Sequence, residues 1–562
     1  MTNESDTERL AAYHFYEDDW ESYDRLHDDF EWEIPHTFNM ASYLCDRWAG
    51  EDRVALYAET EAGEERSYTF DELRDISNRL ANYLHEQGVE RGDRVGVNAP
   101  QKPETVFAHV AAWKLGAVSV PLSTLFGPDA LSYRLGDSGA VACIADGSNV
   151  DALREVRDEC DSLATVVTVD ATAEKNETDL WDAIDGISSE FETRETEAED
   201  DAIVIYTSGT TGEPKGVRHA HRVLLGHLPL FLTTFCNVEL NDADVFWTPS
   251  EWAWVASLFD VLFPALYYGK PVLAYAGGPF DAEKAFELIE KYEVTNYFAP
   301  PTALRMMMQV ESPEYDVADL RTIASGGESL GQSIVDWAEE TFAGAAVHEG
   351  YGQTEANLTI GDCTVLTEFR EGKMGRAAPG MEVAIVDPET AEATVETGDT
   401  GEIAVRYDGN PVCFKEYWGK PERTDRKVRN GWLLTEDLGS MDAEGYVTFK
   451  SRKDDVIISA GYRIGPEEVE ESLAGHTAVA DGAVIGVPDD ERGEIPKAFV
   501  VLADGHEPSA ALREELQTHV KERLAAYEYP REVAFVEELP KTETGKVRRA
   551  SLRDSENIGE HA

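Results

Sequence analysis

Between residues 69 and 300 the chain repeats one unit: a helical stretch with apolar residues at helical spacing, a turn, then a short apolar strand. The unit occurs in "TFDELRDISNRLANYLHEQGV" with "DRVGVNAP", in "ETVFAHVAAWKLGAVSVPL", in "DALREVRDECDSLATVVTV" and in "DAEKAFELIEKYEVTNYFAP". Strands alternating with helices must run largely parallel, with helices covering the sheet faces. At 562 residues the chain is too long for one core, so several folding units are expected. The texture changes near 375. "GEIAVRYDG" and "GYVTFKSRKDDVIIS" are strand-rich and Gly-punctuated, and imply a small β subdomain at about 375–453. Residues 454–562 form a compact α+β unit large enough for its own core. The expected fold is α/β: an acidic N-terminal extension (1–36), a large N-terminal domain of α/β layers (37–453) that includes the β subdomain, and a small α+β C-terminal domain.

Charge narrows the function. Asp and Glu number 110 against 49 Lys and Arg, a net charge of −61. The excess is spread along the chain, which opposes binding to nucleic acid or anionic lipid. Such self-repulsion destabilises a fold at low salt, so the composition points to a halophilic protein working in molar salt, which screens charge over ~3 Å. The six Cys show no metal-ligand or disulfide spacing. "MTNESDTERLAAYHFYEDDW" lacks the basic start and apolar run of a signal peptide, and no stretch approaches ~18 apolar residues. A cytoplasmic protein without a membrane span is expected.

Five strings carry chemistry. "YTSGTTGEPKGVRHA" (206–220) follows a buried-strand pattern. It fails the P-loop pattern, because Lys215 is followed by Gly216 rather than Ser or Thr. Even so, Gly209 and Gly212 permit close backbone approach, successive N–H groups make an anion nest, and Lys215 adds a point charge. In "HEGYGQTEANLT" (348–359), Thr354 and Glu355 offer the hard oxygens that Mg²⁺ prefers, and Tyr351 a flat face for a base. In "TEDLGSMDAEGYVTFKSRKDD" (435–455), Asp437 can accept two ribose hydroxyls and Arg452 can reinforce that grip. "SAGYRIGPEEVE" (459–470) is a Gly turn entering a helix. "PKTETGKVRR" (540–549) is a strongly basic stretch in an acidic protein, suited to meet an anion. Taken singly, each string could be a solvated loop.

Together, in this order and at these separations, they resemble the acyl-adenylate-forming superfamily of acyl-CoA synthetases, adenylation domains and luciferases. The resemblance spans roughly 40–553, and the C-terminal run looks most like the medium-chain acyl-CoA synthetase branch. It implies attack of a carboxylate on the α-phosphorus of ATP, giving acyl-AMP and pyrophosphate, then capture of the acyl group by CoA with release of AMP. By motif position, Thr207, Ser208, Gly209, Thr210, Thr211, Gly212 and Lys215 would cradle phosphates. Gly327 and Glu328 of "SGGESL" would contact adenine, with Tyr351, Gly352, Gln353 and Thr354 completing the nucleotide site. Asp437 and Arg452 would hold the ribose, and Glu355 with the Thr207 hydroxyl would hold Mg²⁺. Lys546 would bridge the carboxylate and the α-phosphate. Asp454 would be the hinge of a mobile C-terminal domain that exchanges Lys546 for the CoA-binding residues Ala460, Gly461 and Arg463.

The acid is expected to be larger than acetate. Acetyl-CoA synthetases close the acyl pocket with a Trp at the position matching Gly352 here. Two further pocket positions match Gly326 and Ala256 of "EWAWVAS", and all three are small. Trp252, Trp254 and Val255 are candidate pocket walls. A medium-chain, branched or aromatic acid is therefore expected, with an acetyl- or propionyl-CoA synthetase as one alternative. Loading of a carrier-protein thiol is another, although no carrier domain follows residue 553. A regulatory protein on a decayed catalytic fold would be expected to lack Lys546, Glu355 or Asp437, and all are present. Oligomeric state stays open.

Overall fold

The computed structural model describes residues 7–559 other than 208–213, 311–314, 328–329, 343, 393–395, 454, 460–461, 490–491, 504, 525–527 and 542–546. By contact the chain divides into two compact units, Met1–Glu382 with Arg406–Gly431, and Val383–Val405 with Trp432–Ala562.

The first unit contains two large sheets of nine and eight strands. Their interior strands are parallel. Val54–Thr60, Val272–Ala276, Phe246–Trp247, Asn296–Phe298, Thr322–Gly326 and Ala346–Gln353 run together in one sheet. Arg94–Asn98, Val118–Pro121, Ala140–Asp146, Thr165–Val169 and Asp201–Thr207 do so in the other. This is the α/β architecture expected from the helix–strand alternation. Parallel strands are covered on both faces, hence runs such as Ala202–Tyr206 in which every residue is buried. The helix Pro103–Lys114 is buried along its whole length. Trp113 packs edge-on to Phe263 on one side, and Phe107 meets Tyr68 on another. The helix Phe70–Glu86 starts with a capping box, Glu72 N–H to the Thr69 hydroxyl at 3.2 Å and Thr69 N–H to the Glu72 carboxylate at 2.9 Å, contacts that together stabilise its first turn by about 1 kcal/mol.

Each large sheet has an antiparallel margin, and there the chain can turn tightly. In the nine-stranded sheet it is the hairpin Ala346–Gln353 and Ala356–Gly361, followed by Arg376–Ala377. In the eight-stranded sheet it is Asp201–Thr207, Lys215–Ala220 and Glu416–Tyr417. Both edges carry site residues.

The N-terminal extension packs into this unit. Tyr13, Phe15, Tyr23 and Leu26 are buried. The Tyr23 hydroxyl donates to the Ala377 carbonyl at 2.9 Å, and the Trp32 indole N–H donates to the Gly380 carbonyl at 3.0 Å. Gly380 has φ +82°, and a Cβ there would come within 2.7 Å of Phe30 and Trp32. Residues 23–32 therefore brace the edge strand Arg376–Ala377 and, through it, the hairpin that bears Tyr351 and Glu355. Trp32→Ala is expected to cost about 2 kcal/mol of stability, read as a lower denaturation midpoint in molar salt.

The second unit contains a small antiparallel sheet built on Val383–Val386, Gly401–Arg406, Trp432–Met441 and Val447–Arg452. It also contains a second sheet, of five strands, centred on the hairpin Val479–Asp489 and Gly493–Leu502. The helices Pro466–Ala474 and Ala510–Arg523 cover that sheet through Leu473, Leu516 and Val520, which pack with Val484, Ala498 and Val500. Sequence texture assigns the small sheet to the N-terminal domain, whereas by contact it groups with the C-terminal residues. The packing reason lies at Gly465, where the helix Pro466–Ala474 begins. A Cβ there would lie 2.4 Å from the Lys450 carbonyl oxygen. Further on, Asp455 accepts from Arg549 at 3.3 Å and Arg553 at 2.6 Å, tying the C-terminal helix back to the segment that leaves the small sheet.

Candidate active site

The strand Asp201–Thr207 and its partner Lys215–Ala220 put Thr207 directly opposite Lys215. The loop between them thus leaves and re-enters the sheet at one point. Ser208, Gly209, Thr210, Thr211 and Gly212 lie outside the described residues. The base of the loop is braced: the Pro214 carbonyl accepts from the Tyr133 hydroxyl and from Lys420 Nζ, both at 3.0 Å. The Gly216 carbonyl accepts from Trp418 N–H at 2.7 Å. Gly216 is itself required, because a Cβ would lie 2.8 Å from Val204 Cγ1 and 3.1 Å from the Tyr206 ring. Lys215 Nζ stands 4.7 Å from the centre of the Tyr417 ring.

The hairpin supplies the second group. Tyr351 pairs with Ile360 and Gln353 with Ala356, leaving Thr354 and Glu355 at the turn. His219 Nε2 lies 2.7 Å from the Thr354 carbonyl oxygen. A carbonyl can only accept, so Nε2 carries the proton. Burial pushes the pKa of this ring down to about 4, so His219 is a neutral anchor at neutral pH. Glu355 is buried. Its carbonyl accepts from Phe414 N–H at 2.8 Å and its carboxylate from the Tyr417 hydroxyl. Burial raises its pKa, but Lys427, the Tyr417 hydroxyl and Lys215 outweigh that effect and hold the carboxyl below its ordinary value. The result is a charged, oriented carboxylate beside two cations, a site suited to polyanions.

Gly327, with φ +89°, has open space where a Cβ would be. Glu328 lies outside the described residues. In the second unit, Asp437 and Arg452 face each other across the hairpin Trp432–Met441 and Val447–Arg452, with Arg452 Nε 3.9 Å from Asp437 Oδ1. Asp454, Ala460, Gly461 and Lys546 lie outside the described residues. Arg463 is on the strand Tyr462–Ile464, opposite Ile458.

At two of the three small positions expected to line the acyl pocket, neighbouring backbone stands where a side chain would begin. At Gly352 a Cβ would lie 2.4 Å from the Leu358 amide nitrogen and 2.9 Å from Asn357 Cα. At Gly326 it would lie 2.5 Å from the Gly350 carbonyl oxygen. Backbone from the neighbouring strand occupies both places, so neither glycine signals an empty pocket. Gly352→Ala is accordingly expected to destabilise the hairpin by about 1–3 kcal/mol, read as a lower melting temperature, and Gly352→Trp to do so more severely. Trp252 is buried core. Trp254 is half-buried and packs edge-on to Phe126 at 6.0 Å. Val255 and Ala256, also half-buried, lead into a wide helical turn, Ala256–Leu262.

Residues 45–418 match the family described as AMP-binding enzyme, and residues 468–546 match its C-terminal domain. The chain belongs to the AMP-binding enzyme family. Within it, the chain is 36% identical over 528 residues to the uncharacterised acyl-CoA ligase YtcI of Bacillus subtilis, covering 93% of this chain and 97% of that protein. It is 34% identical to the mitochondrial acyl-coenzyme A synthetase ACSM3 of Mus musculus, covering 95% and 93%. Among solved structures, the anthranilate CoA ligase AuaEII in complex with anthranoyl-AMP superposes with a TM-score of 0.86 at 27% identity, covering 94% of this chain and 99% of that one.

Three residues beside the family's motifs escaped the sequence: Tyr417, Lys427 and His219. Tyr417 and Lys427 come from a segment with no phosphate-binding or metal-ligand pattern, "KEYWGKPERTDRK". They reach Glu355 only because Tyr417 pairs with Val217, two hundred residues earlier. The only local hint was that His219 sits inside the first string.

Proposed function

We propose that this chain is an ATP-dependent acyl-CoA synthetase of the cytoplasm, active in molar salt. It joins CoA to a medium-chain, branched or aromatic acid through an acyl-AMP intermediate. The observation that carries this is the meeting of Lys215 and Glu355 on one tyrosine, in a chain that matches an acyl-CoA ligase over 93% of its length.

The acid's carboxylate oxygen attacks the α-phosphorus, and the bond to the β-phosphate breaks, releasing pyrophosphate. The thiolate of CoA then attacks the acyl carbonyl, and AMP leaves. No protein nucleophile takes part, so the residues work by positioning and by charge. The phosphate loop and Lys215 hold the triphosphate, Asp437 with Arg452 holds the ribose, and Tyr351 lies against the adenine. Lys546 neutralises the charge that develops between carboxylate and α-phosphate. Arg463, with Ala460 and Gly461, serves CoA, and Asp454 is the hinge between the two half-reactions. Mg²⁺ fits the site. Glu355 is an ionised hard-oxygen donor, and one carboxylate suffices when phosphates and water complete the shell. Glu355 and the Thr207 hydroxyl would hold the ion, which would supply charge neutralisation on the phosphates.

Small residues at Gly326 and Gly352 no longer support a large acid. Support comes instead from the similar proteins, which include an anthranilate CoA ligase and an acyl-CoA ligase, and from Ala256, the remaining small position. AMP release should be measured with acids from acetate to dodecanoate, plus benzoate, anthranilate and branched acids, in molar KCl with and without CoA. The expected result is CoA-dependent turnover peaking between butyrate and decanoate or on an aromatic acid. A peak at acetate would keep the enzyme class and overturn the acid.

A further inference from the structure

Tyr417 belongs to none of the five strings, yet it touches two of them. It lies in the two-residue strand Glu416–Tyr417, opposite Val217. Lys415 N–H donates to the Arg218 carbonyl and Trp418 N–H to the Gly216 carbonyl, each at 2.7 Å. Its own N–H donates to the Thr424 hydroxyl at 2.9 Å. The ring packs against Phe414 at 4.9 Å, and Phe414 N–H holds the Glu355 carbonyl. The side chain is fully buried. From this fixed position the hydroxyl donates to Glu355 Oε1, while the ring face receives Lys215 Nζ at 4.7 Å.

We propose that Tyr417 is a positioning residue that fixes the aim of the Glu355 carboxylate. This rests on the assignment of Glu355 to the ATP site. A buried carboxylate with cations near it is drawn strongly toward them at low dielectric, and a carboxylate that swings onto a lysine is lost to an ion on the phosphates. The hydroxyl of a buried tyrosine, itself held by strand pairing, fixes the carboxylate in one orientation.

Tyr417→Phe tests this, since it keeps the ring and removes the O–H. ATP binding is read by calorimetry over a range of Mg²⁺ concentrations without acid or CoA, beside steady-state kinetics and thermal melting. The expected result is a half-saturating Mg²⁺ concentration raised roughly tenfold or more, the size of effect seen when a residue supporting a metal ligand is removed. KM for ATP should rise more than kcat falls. In a Glu355→Gln background the same substitution should add nothing to the Mg²⁺ dependence, because the group it orients is gone. An unchanged Mg²⁺ dependence in Tyr417→Phe, with or without a lower melting temperature, would overturn the proposal and leave Tyr417 a packing residue. If the unaltered protein shows no Mg²⁺-dependent ATP binding, the assignment of the ATP site fails first, and the two failures are told apart.

Discussion

Lys546→Ala is expected to lower acyl-AMP formation by about a thousandfold, the scale seen when one preorganised charge-stabilising group is removed, while leaving thioester formation from supplied acyl-AMP within a few-fold of normal. Adenylation brings an anionic carboxylate to an anionic phosphate, so the approach is repulsive until a cation bridges them. Thioester formation has a different need. The α-phosphate is already a leaving group, and the bridging cation has no further part. The discriminating measurement is a pair of single-turnover assays, one from acid and ATP, the other from synthetic acyl-AMP and CoA. Loss of both steps would show that Lys546 supports the fold or the whole site, and not the first half-reaction alone.

Glu355→Gln should have the second largest effect, lowering kcat/KM about a hundredfold and weakening the response to Mg²⁺ by a similar factor. The amide is nearly isosteric but carries no charge. The substitution has a second, independent signature. Burial disfavours the Glu355 carboxylate, yet Lys427, Tyr417 and Lys215 together hold its folded pKa below the unfolded value. A group with a depressed folded pKa contributes stability that is fully present above the unfolded carboxylate pKa and is lost as pH falls through the folded one. The unaltered protein should lose that increment on acidification, and the Gln variant should not. Urea midpoints of both proteins, compared at neutral pH and below the carboxylate range, measure the difference.

Much of this was open to sequence reasoning, because it depends on local pattern. The alternation of helices and strands implies parallel sheets whatever the details, and Phe70–Glu86 follows "TFDELRDISNRLANYLHE" almost residue for residue. Thr207 and Lys215 close one loop, and Asp437 meets Arg452 across one hairpin, because each pair is near in sequence. What stayed hidden depends on distant backbone. A glycine reads the same whether the space beside it is empty or filled by another strand. Gly326 and Gly352 therefore suggested a pocket, whereas Gly350 and Leu358 fill those places. Tyr417 carries no pattern of its own, and only its pairing with Val217 brings it to Glu355 and Lys215. The N-terminal extension showed acidity and aromatic content but not its target, since Gly380 lies some 350 residues away from Trp32.

The most direct test of the account is product analysis of a single reaction mixture, with ATP, Mg²⁺ and the best acid in molar KCl, first without CoA and then with it. Enzyme-bound acyl-AMP and pyrophosphate are expected in the first case, and equal amounts of acyl-CoA, AMP and pyrophosphate in the second. Formation of ADP and phosphate in place of AMP and pyrophosphate, or acyl-AMP that CoA does not consume, would contradict it.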